Sequence, residues 1–296
     1  MTLLSYQIFQ TVVDQGSFQK AAEVLNLTPS AISHAISNAE KELGFPLFHR
    51  NKNGVTLTSY GENLEPYILT VLNSDAKLQQ AILEFNGLTN GAVKIGTFSS
   101  FCCSFISNLV STFKKKHPNI EITIYQGTYD DVYNWIKTGV VDVGFLSESS
   151  CKDLEFTPLY EDELQCIVPK GFETKQKKYI DISEIANQNF VSQHESTDAD
   201  IQNVLHKYNL HIKSSCHVVD DLSTIAMVSA GFGICVMPKL VMQNIPYEVD
   251  CYSFKPMEYR RIGICYQNKE LMAPAVKSMY HHITDYFKNP SSHSQA

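Results

Sequence analysis

The chain has 296 residues, 44% of them hydrophobic and 19% charged, with a formal net charge of −7 from 24 basic and 31 acidic side chains. That is room for two domains or three small lobes, without the run of about 18 uncharged apolar residues that a membrane-crossing helix needs. The acidic balance argues against a protein coated in positive charge for indiscriminate nucleic-acid binding. The start, Met1 to Gln7, lacks the basic region, apolar core and cleavage site of a signal peptide. A soluble cytoplasmic protein with no membrane contact is therefore expected, its eight cysteines kept as reduced, mostly buried thiols.

Leu4, Ile8, Phe9, Val12 and Val13 follow helical spacing, and Asp14-Gln15-Gly16 ends that helix. Ser17 is placed to cap a second helix carrying Phe18, Ala21, Ala22 and Leu25. After a tight turn, Thr28-Pro29 opens a third helix with a Thr at the cap and a Pro at the first helical position, and Gly44 stops it. One face of the third helix, Ala31, Ile32, Ala35, Ile36, Ala39 and Leu43, is small and apolar. The other carries Ser30, Ser33, His34 and Ser37, short hydrogen-bonding side chains suited to a helix lying in a DNA major groove. Leu47 to Arg50 and Val55 to Thr58 read as two short strands around a polar turn. That hairpin makes a wing, whose Arg50 and Lys52 can reach phosphate or the minor groove. Residues 1–60 hold four basic and four acidic side chains, so weak non-specific affinity and reliance on dimerisation are expected.

Three runs in this region, Gly16-Ser17-Phe18-x-x-Ala21-Ala22-x-x-Leu25, Thr28-Pro29-Ser30-Ala31-Ile32-Ser33-His34-Ala35-Ile36 and Glu40-x-x-Leu43-Gly44-x-x-Leu47-Phe48-x-Arg50, are followed by Val55-Thr56-Leu57-Thr58-x-x-Gly61. Together they resemble the amino-terminal signature of LysR-type transcriptional regulators, ordered and nearly gapless over about sixty residues. The departure is Ala39, where the family has Leu before Glu40.

Ser59 with Glu62 fits a capping box opening a long helix, on which Leu64, Ile68, Val71, Leu78, Ile82 and Phe85 follow 4-3 spacing with Asp75 in the missing seam position. Pro66 is expected to kink it and Gly87 and Gly91 to mark a hinge. The resemblance implies a linker helix that pairs two subunits.

Beyond Gly91, short apolar strands alternate with helices in a β-α-β-α-β pattern, the mark of a parallel sheet, and a second such set follows. The runs Gly139-Val140-Val141-Asp142-Val143-Gly144-Phe145, Pro158-Leu159-Tyr160-x-Asp162 and Val228-Ser229-Ala230-Gly231-Phe232-Gly233-Ile234-x-x-Met237-Pro238 are similar to the effector domain of the same family. The resemblance implies an α/β fold class in three parts. These are a winged helix-turn-helix (1–58), a linker helix (59–88) and a two-lobed, periplasmic-binding-protein-like effector domain (92–296). Lobe I is expected at 92–163 and 268–296, lobe II at 164–267.

In open α/β sheets, ligands bind beyond the carboxyl ends of strands, against helix amino termini. That rule points to Ser99, Ser100, Thr128, Ser192 and Gln193, with Phe145 and Met227 as apolar walls, and to a small polar or anionic effector. For DNA, the face Ser30, Ser33, His34 and Ser37 is assigned to bases, and Ser17, Arg50 and Lys52 to the backbone.

Gly231-Phe232-Gly233 lacks the spacing of a nucleotide loop and reads as a packing turn. His194-Glu195, His206, His211 and His217 form no metal-ligand spacing, and there is no Gly-x-Ser-x-Gly elbow. No enzyme, metal or cofactor is expected. Cys102-Cys103 sits at a helix start, where the dipole can lower a thiol pKa, so a thiol-based redox-sensing regulator stays open beside the effector-controlled one. A sensor acting through protein contacts is the other alternative, left open by the near-neutral amino domain. The resemblance implies homodimers assembling to homotetramers on double-stranded promoter DNA, with RNA polymerase as a further partner.

Overall fold

The computed structural model describes residues 1–51, 54–85, 91–176, 178–193, 199–210, 212–243 and 245–288. It divides near residue 90 into two compact units.

The first unit is α1 (Leu3–Gln15), α2 (Phe18–Leu25), α3 (Pro29–Leu43), a hairpin of β1 (Phe48–Asn51) and β2 (Gly54–Leu57), and the long α4 (Ser59–Phe85). Local chemistry sets each boundary. The Ser17 hydroxyl accepts from the Lys20 amide and the Thr28 hydroxyl from the Ala31 amide, while Gly16, Asn26 and Gly44 end the three helices in the left-handed conformation. Ala21 and Ala22 let the helices close on Phe9, Val12, Ile32, Ile36 and Leu47, all buried. Phe48 of the hairpin packs on Phe9 with ring centroids 5.1 Å apart. Ala39 is buried as the sequence suggests, whereas Ala31 is exposed.

The start of α4 differs from the sequence reading. Thr58 caps it, not Ser59, which is already helical: the buried Thr58 hydroxyl accepts from the Gly61 amide at 3.1 Å and donates to the Pro46 carbonyl at 2.7 Å. Gly61 lets the first turn lie against the Leu47 carbonyl, which a Cβ there would strike. Pro66 lies inside α4 without ending it. The apolar series along this helix divides. Ile68 is buried in the core of the unit with Leu64 and Leu72 against it, while Val71, Leu78 and Ile82 are 44%, 57% and 43% exposed. Residues 86–88 of the expected linker and Gly87 of the expected hinge fall outside the described residues.

In the second unit a seven-stranded sheet runs in the order β10-β6-β11-β5-β3-β4, with β7 also on β11. Its first part is β3 (Ala92–Thr97), α5 (Ser99–Phe101) continuing through a π-helical segment (Cys102–Ile106) into α6 (Ser107–Lys116), β4 (Glu121–Gln126), α7 (Tyr129–Thr138) and β5 (Val143–Ser147). The strands β3, β4 and β5 are parallel, as the alternating pattern requires. β6 (Glu155–Pro169) then leads to β7 (Tyr179–Asp181), β8 (Asn189–Gln193), α8 (Ala199–Lys207), β9 (Lys213–Val218), α9 (Asp221–Ser229), β10 (Cys235–Pro238), β11 (Val249–Tyr266) and α10 (Pro274–Lys288).

β6 and β11 pair antiparallel along most of their lengths and carry the chain out to the second lobe and back, with a wide break between Ser253 and Glu258 around Pro256 and a smaller register shift between Ile262 and Gly263. The end of β11 pairs with β5, Ile262 to Cys265 against Ser147 to Gly144. These residues therefore belong to the first lobe rather than to the expected second-lobe span ending at 267. The second lobe has its own core, including Leu164, Ile180, Phe190, Val204, Ile234 and Phe254. Gly233 fits there by close approach, since a Cβ would strike the Asn189 carbonyl of β8, whereas Gly231 has open space around it and turns the chain at a φ of +83°.

Candidate functional site

On the first unit, α3 and the hairpin share a polar surface organised by Arg50. From β1 its guanidinium reaches across α3, donating to Ser33 Oγ at 3.1 Å and Ser37 Oγ at 3.3 Å. It also lies 4.6 Å from the Phe18 ring centroid and 3.7 Å from a Glu40 oxygen. Glu40 in turn receives the Leu47 and Phe48 amides, fixing the hairpin to α3. Ser33 and Ser37 are thus half-buried under Arg50, whereas Ser30 and His34 are exposed. Ser30 meets the Thr28 hydroxyl at 3.0 Å and His34 Nδ1 meets Asn38 at 3.1 Å. Ser17 is engaged as a helix cap, and Lys52 lies outside the described residues.

Within the second unit a cavity of about 370 Å³ opens where the first-lobe elements β3, α5 and α7 meet the second-lobe elements β8, α8 and α9. Four of the residues drawn from the sequence line it, Ser99, Ser100, Thr128 and Gln193. Three do not. Phe145 is fully buried on β5, stacked on Phe101 at 4.4 Å between centroids. Ser192 turns into the β8–β9 sheet, bonding Ser214 Oγ at 2.9 Å and His217 Nδ1 at 2.8 Å. Met227 packs into the second-lobe core with Cys235 and Met237. In each case the residue sits on the expected strand or helix, but its side chain is turned away from the cleft, by strand alternation for Phe145 and Ser192 and by the core-facing side of α9 for Met227.

The floor of the cavity is a polar network on β11 and β6. Arg260, 6% exposed, donates to Asp162 Oδ2 from Nε at 2.9 Å and Nη2 at 2.7 Å. It also donates to Tyr129 OH and Ser100 Oγ, each at 2.9 Å. Its guanidinium is 5.1 Å from the Phe98 ring centroid. Desolvation works against the guanidinium charge, but Tyr129, Asp162 and Asp200 outweigh it and the group stays cationic. Burial pushes the Tyr129 phenol well up from its ordinary value, so it remains protonated. Asp200 of α8 ties the two lobes together, accepting from Ser147 at 2.6 Å and Ser149 at 2.7 Å. Asp131, Asp220 and Asp221 complete the acidic side of the lining.

Arg260 and these aspartates went unassigned in the sequence. Arg260 lies beyond Pro256 in a run with Glu258 and Arg261 that reads as a polar loop, although Glu258, Arg260 and Ile262 alternate inward along one strand. The expectation of mostly buried thiols fails at Cys103 and Cys251, which are exposed. Cys102 is half-buried, and burial, then the adjacent Cys103, raises its pKa. His194 and His211 lie outside the described residues.

Comparison with known proteins accounts for both units. Residues 3–62 match the model of the bacterial regulatory helix-turn-helix protein, lysR family, and residues 86–288 match the LysR substrate binding domain. Over 267 residues the chain is 27% identical to the uncharacterized HTH-type transcriptional regulator YvbU of Bacillus subtilis, spanning 89% of this chain and 91% of that relative. It is 33% identical over 147 residues to the HTH-type transcriptional regulator CzcR of Bacillus anthracis, covering half of each. Among solved structures, a full-length OxyR variant from Pseudomonas aeruginosa superposes with a TM-score of 0.72 at 19% identity, covering 96% of this chain and 94% of that one. CbnR complexed with its target DNA gives 0.66 at 15% identity, covering 96% and 99%. The effector binding domain of QuiR in complex with shikimate gives 0.60 at 23% identity, covering 67% and 98%. At these identities the structural likenesses speak for the fold, and the family models for membership: the chain belongs to the LysR family of DNA-binding transcriptional regulators, with a helix-turn-helix unit followed by a substrate-binding domain.

Proposed function

We propose that this regulator reads promoter DNA as a homodimer, assembled further into a homotetramer, and that a small molecule in the cleft of the second unit controls it. It acts in the cytoplasm and performs no catalysis. α3 enters the major groove with Ser30 and His34 directed at base edges. Ser33 and Ser37 hold Arg50 in the free protein, and Arg50 leaves them for phosphate when DNA is bound. Ser17 and Lys52 supply further backbone contacts, and two subunits paired along α4 offer two recognition helices to two half-sites. Effector binding shifts the balance between arrangements of the two lobes, and through the oligomer the spacing and bend of the bound sites. RNA polymerase meets the assembly at the promoter.

The observation that carries this reading is Arg50, whose guanidinium is already held over the polar face of α3 by the hydroxyls of Ser33 and Ser37, with a longer ion pair to Glu40, so that a phosphate can replace the two neutral partners. The test is fluorescence anisotropy of the promoter fragment adjoining this gene against an unrelated fragment, across a salt series. Specific binding with a modest salt slope is expected, since few phosphates are contacted. An R50A/K52A variant should lose DNA binding while keeping its oligomeric state. Unchanged DNA binding by that variant would remove the hairpin from the interface.

A further inference from the structure

The cavity of the second unit is acidic, for a reason that lies in its helices. Asp131 and Thr128 form a reciprocal cap at the start of α7, the carboxylate accepting from the Thr128 amide at 2.8 Å and hydroxyl at 2.7 Å. Asp220 caps α9, accepting from the Ser223 amide at 2.9 Å and hydroxyl at 2.6 Å, and these bonds hold its carboxyl below the usual range. A helix amino terminus facing a cleft ordinarily receives an anion, because free N–H groups and the helix dipole favour negative charge. Here the ends of α7 and α9 are already filled by carboxylates of the chain itself.

Asp200 and Asp221 add two more carboxylates to the lining. Among the described residues, none of the four aspartates has a basic partner within ion-pair distance. Arg260, the cation among the described lining residues, is bound by Asp162 and so leaves the balance strongly negative. Acceptor capacity remains: among the described residues Asp221 takes one hydrogen bond, from Gln193 at 2.7 Å, where an ionised carboxylate offers about four lone-pair sites. Beside the acids lies apolar surface, with Val219 71% and Leu222 51% exposed.

We infer that the cleft takes a small organic cation, a protonated amine on a compact apolar body. Its N–H donors sit among Asp131, Asp200, Asp220 and Asp221, and its body covers Val219 and Leu222. The inference rests on the cleft being the effector site of the proposed regulator, and replaces the small polar or anionic effector expected from the strand ends and helix starts. A cavity of about 370 Å³ suits a ligand of that size.

The chain carries its own reporter. Trp135 is its single tryptophan. Its ring lies against Gly127 of the lining, where a Cβ would stand 2.7 Å from Trp135 and 2.8 Å from the Asp131 Cβ. The full-length protein is titrated with butylamine, cyclohexylamine and phenethylamine, each beside the carboxylate and the alcohol of matching skeleton, while Trp135 emission is followed. At least one amine should bind saturably, and about tenfold or more tightly than its carboxylate and alcohol. A D220N/D221N variant should weaken the amine by a similar factor. Asn keeps the capping function, so an unchanged melting temperature shows that the fold survives.

Equal or tighter binding of the carboxylate or alcohol overturns the inference, as does an undiminished amine response in D220N/D221N, or no saturable response to any amine. Promoter anisotropy in the same titrations separates the two readings. Carboxylates that bind and change DNA affinity leave the regulator intact and remove the cation. Amines that bind without changing DNA affinity keep the cation and remove the regulatory role of the cleft.

Discussion

Arg260 and Asp162 stand directly opposite each other in the β6–β11 ladder, and their side chains meet on its buried face. The Asp162 Oδ1 also receives the Leu240 amide at 3.1 Å, so the pair joins three elements of the second unit. Breaking a buried pair by removing one partner strands the other charge, a loss of about 3–5 kcal/mol, whereas replacing both can be nearly neutral. D162A should therefore unfold the second unit at markedly lower denaturant, and a D162L/R260M variant should recover much of the loss. Chemical denaturation followed by Trp135 emission checks both. A D162A midpoint equal to wild type would mean that Arg260 finds another partner.

Gly61 supplies a second expectation. Alanine there places a methyl against the Leu47 carbonyl and the Leu57 side chain. Overpacking of this kind costs about 1–3 kcal/mol. G61A should make the first unit more sensitive to limited proteolysis while leaving the Trp135 signal of the second unit unmoved.

The exposed stripe on α4 should be covered in the assembled protein. L78E and I82E place charge where Leu78 and Ile82 are now exposed. Sedimentation analysis should then show smaller species than wild type, with DNA affinity reduced because two half-sites are no longer read together. An unchanged sedimentation coefficient would place the subunit contact elsewhere.

His282 sets a pH dependence. Its Nε2 lies 3.0 Å from Thr112 Oγ1 and 3.2 Å from the Leu109 carbonyl, beneath the Phe113 ring. Burial, aided by Lys116 and His117, lowers its pKa from the ordinary 6.5. The unfolded chain then binds the proton more tightly than the folded one. The contribution is present above about pH 6.5 and lost as pH falls through the lower folded value. The protection of α10 amides, with the intrinsic pH dependence of exchange divided out, should fall between pH 7.5 and 5.5, and H282Q should flatten that fall.

Thiol chemistry should follow exposure. Cys103 and Cys251 are exposed, whereas Cys166 and Cys235 are buried, and burial raises the Cys166 thiol strongly. A maleimide should label Cys103 and Cys251 first in the folded protein and reach Cys166 only on unfolding. A C102S/C103S variant should keep its DNA response under oxidant. Loss of an oxidant effect in that variant alone would restore the redox reading.

These residues also show where the sequence speaks plainly. Caps are local, so Ser17, Thr28 and Gly44 mark the first three helices within a few residues of text. The strand-end rule led to Ser99, Ser100 and Thr128 because it needs only the order of strand and helix. Ser192 and Met227 were assigned to the site but face away from it, because side-chain direction depends on pleat phase in a strand and on packing in a helix, which order alone does not fix. The aspartates were hidden by their own ordinariness: an acid at a helix start reads as a cap, and its second role appears only when separate helices converge. Arg260 was hidden by Pro256 and by charges that look like solvent-facing loop residues until β6 is laid beside them.

The paired run of β6 and β11 has a mechanical meaning. Two separate tethers between lobes could each rotate about their own bonds and let the lobes swing apart freely. A hydrogen-bonded ribbon cannot, since displacing one strand drags the other with it. The soft motion left to such a ribbon is torsion along its length, concentrated where the ladder is interrupted between Ser253 and Glu258. Ligand uptake in the cleft would then be felt as a change of winding passed down a stiff strip, with Arg260 riding on the strip itself.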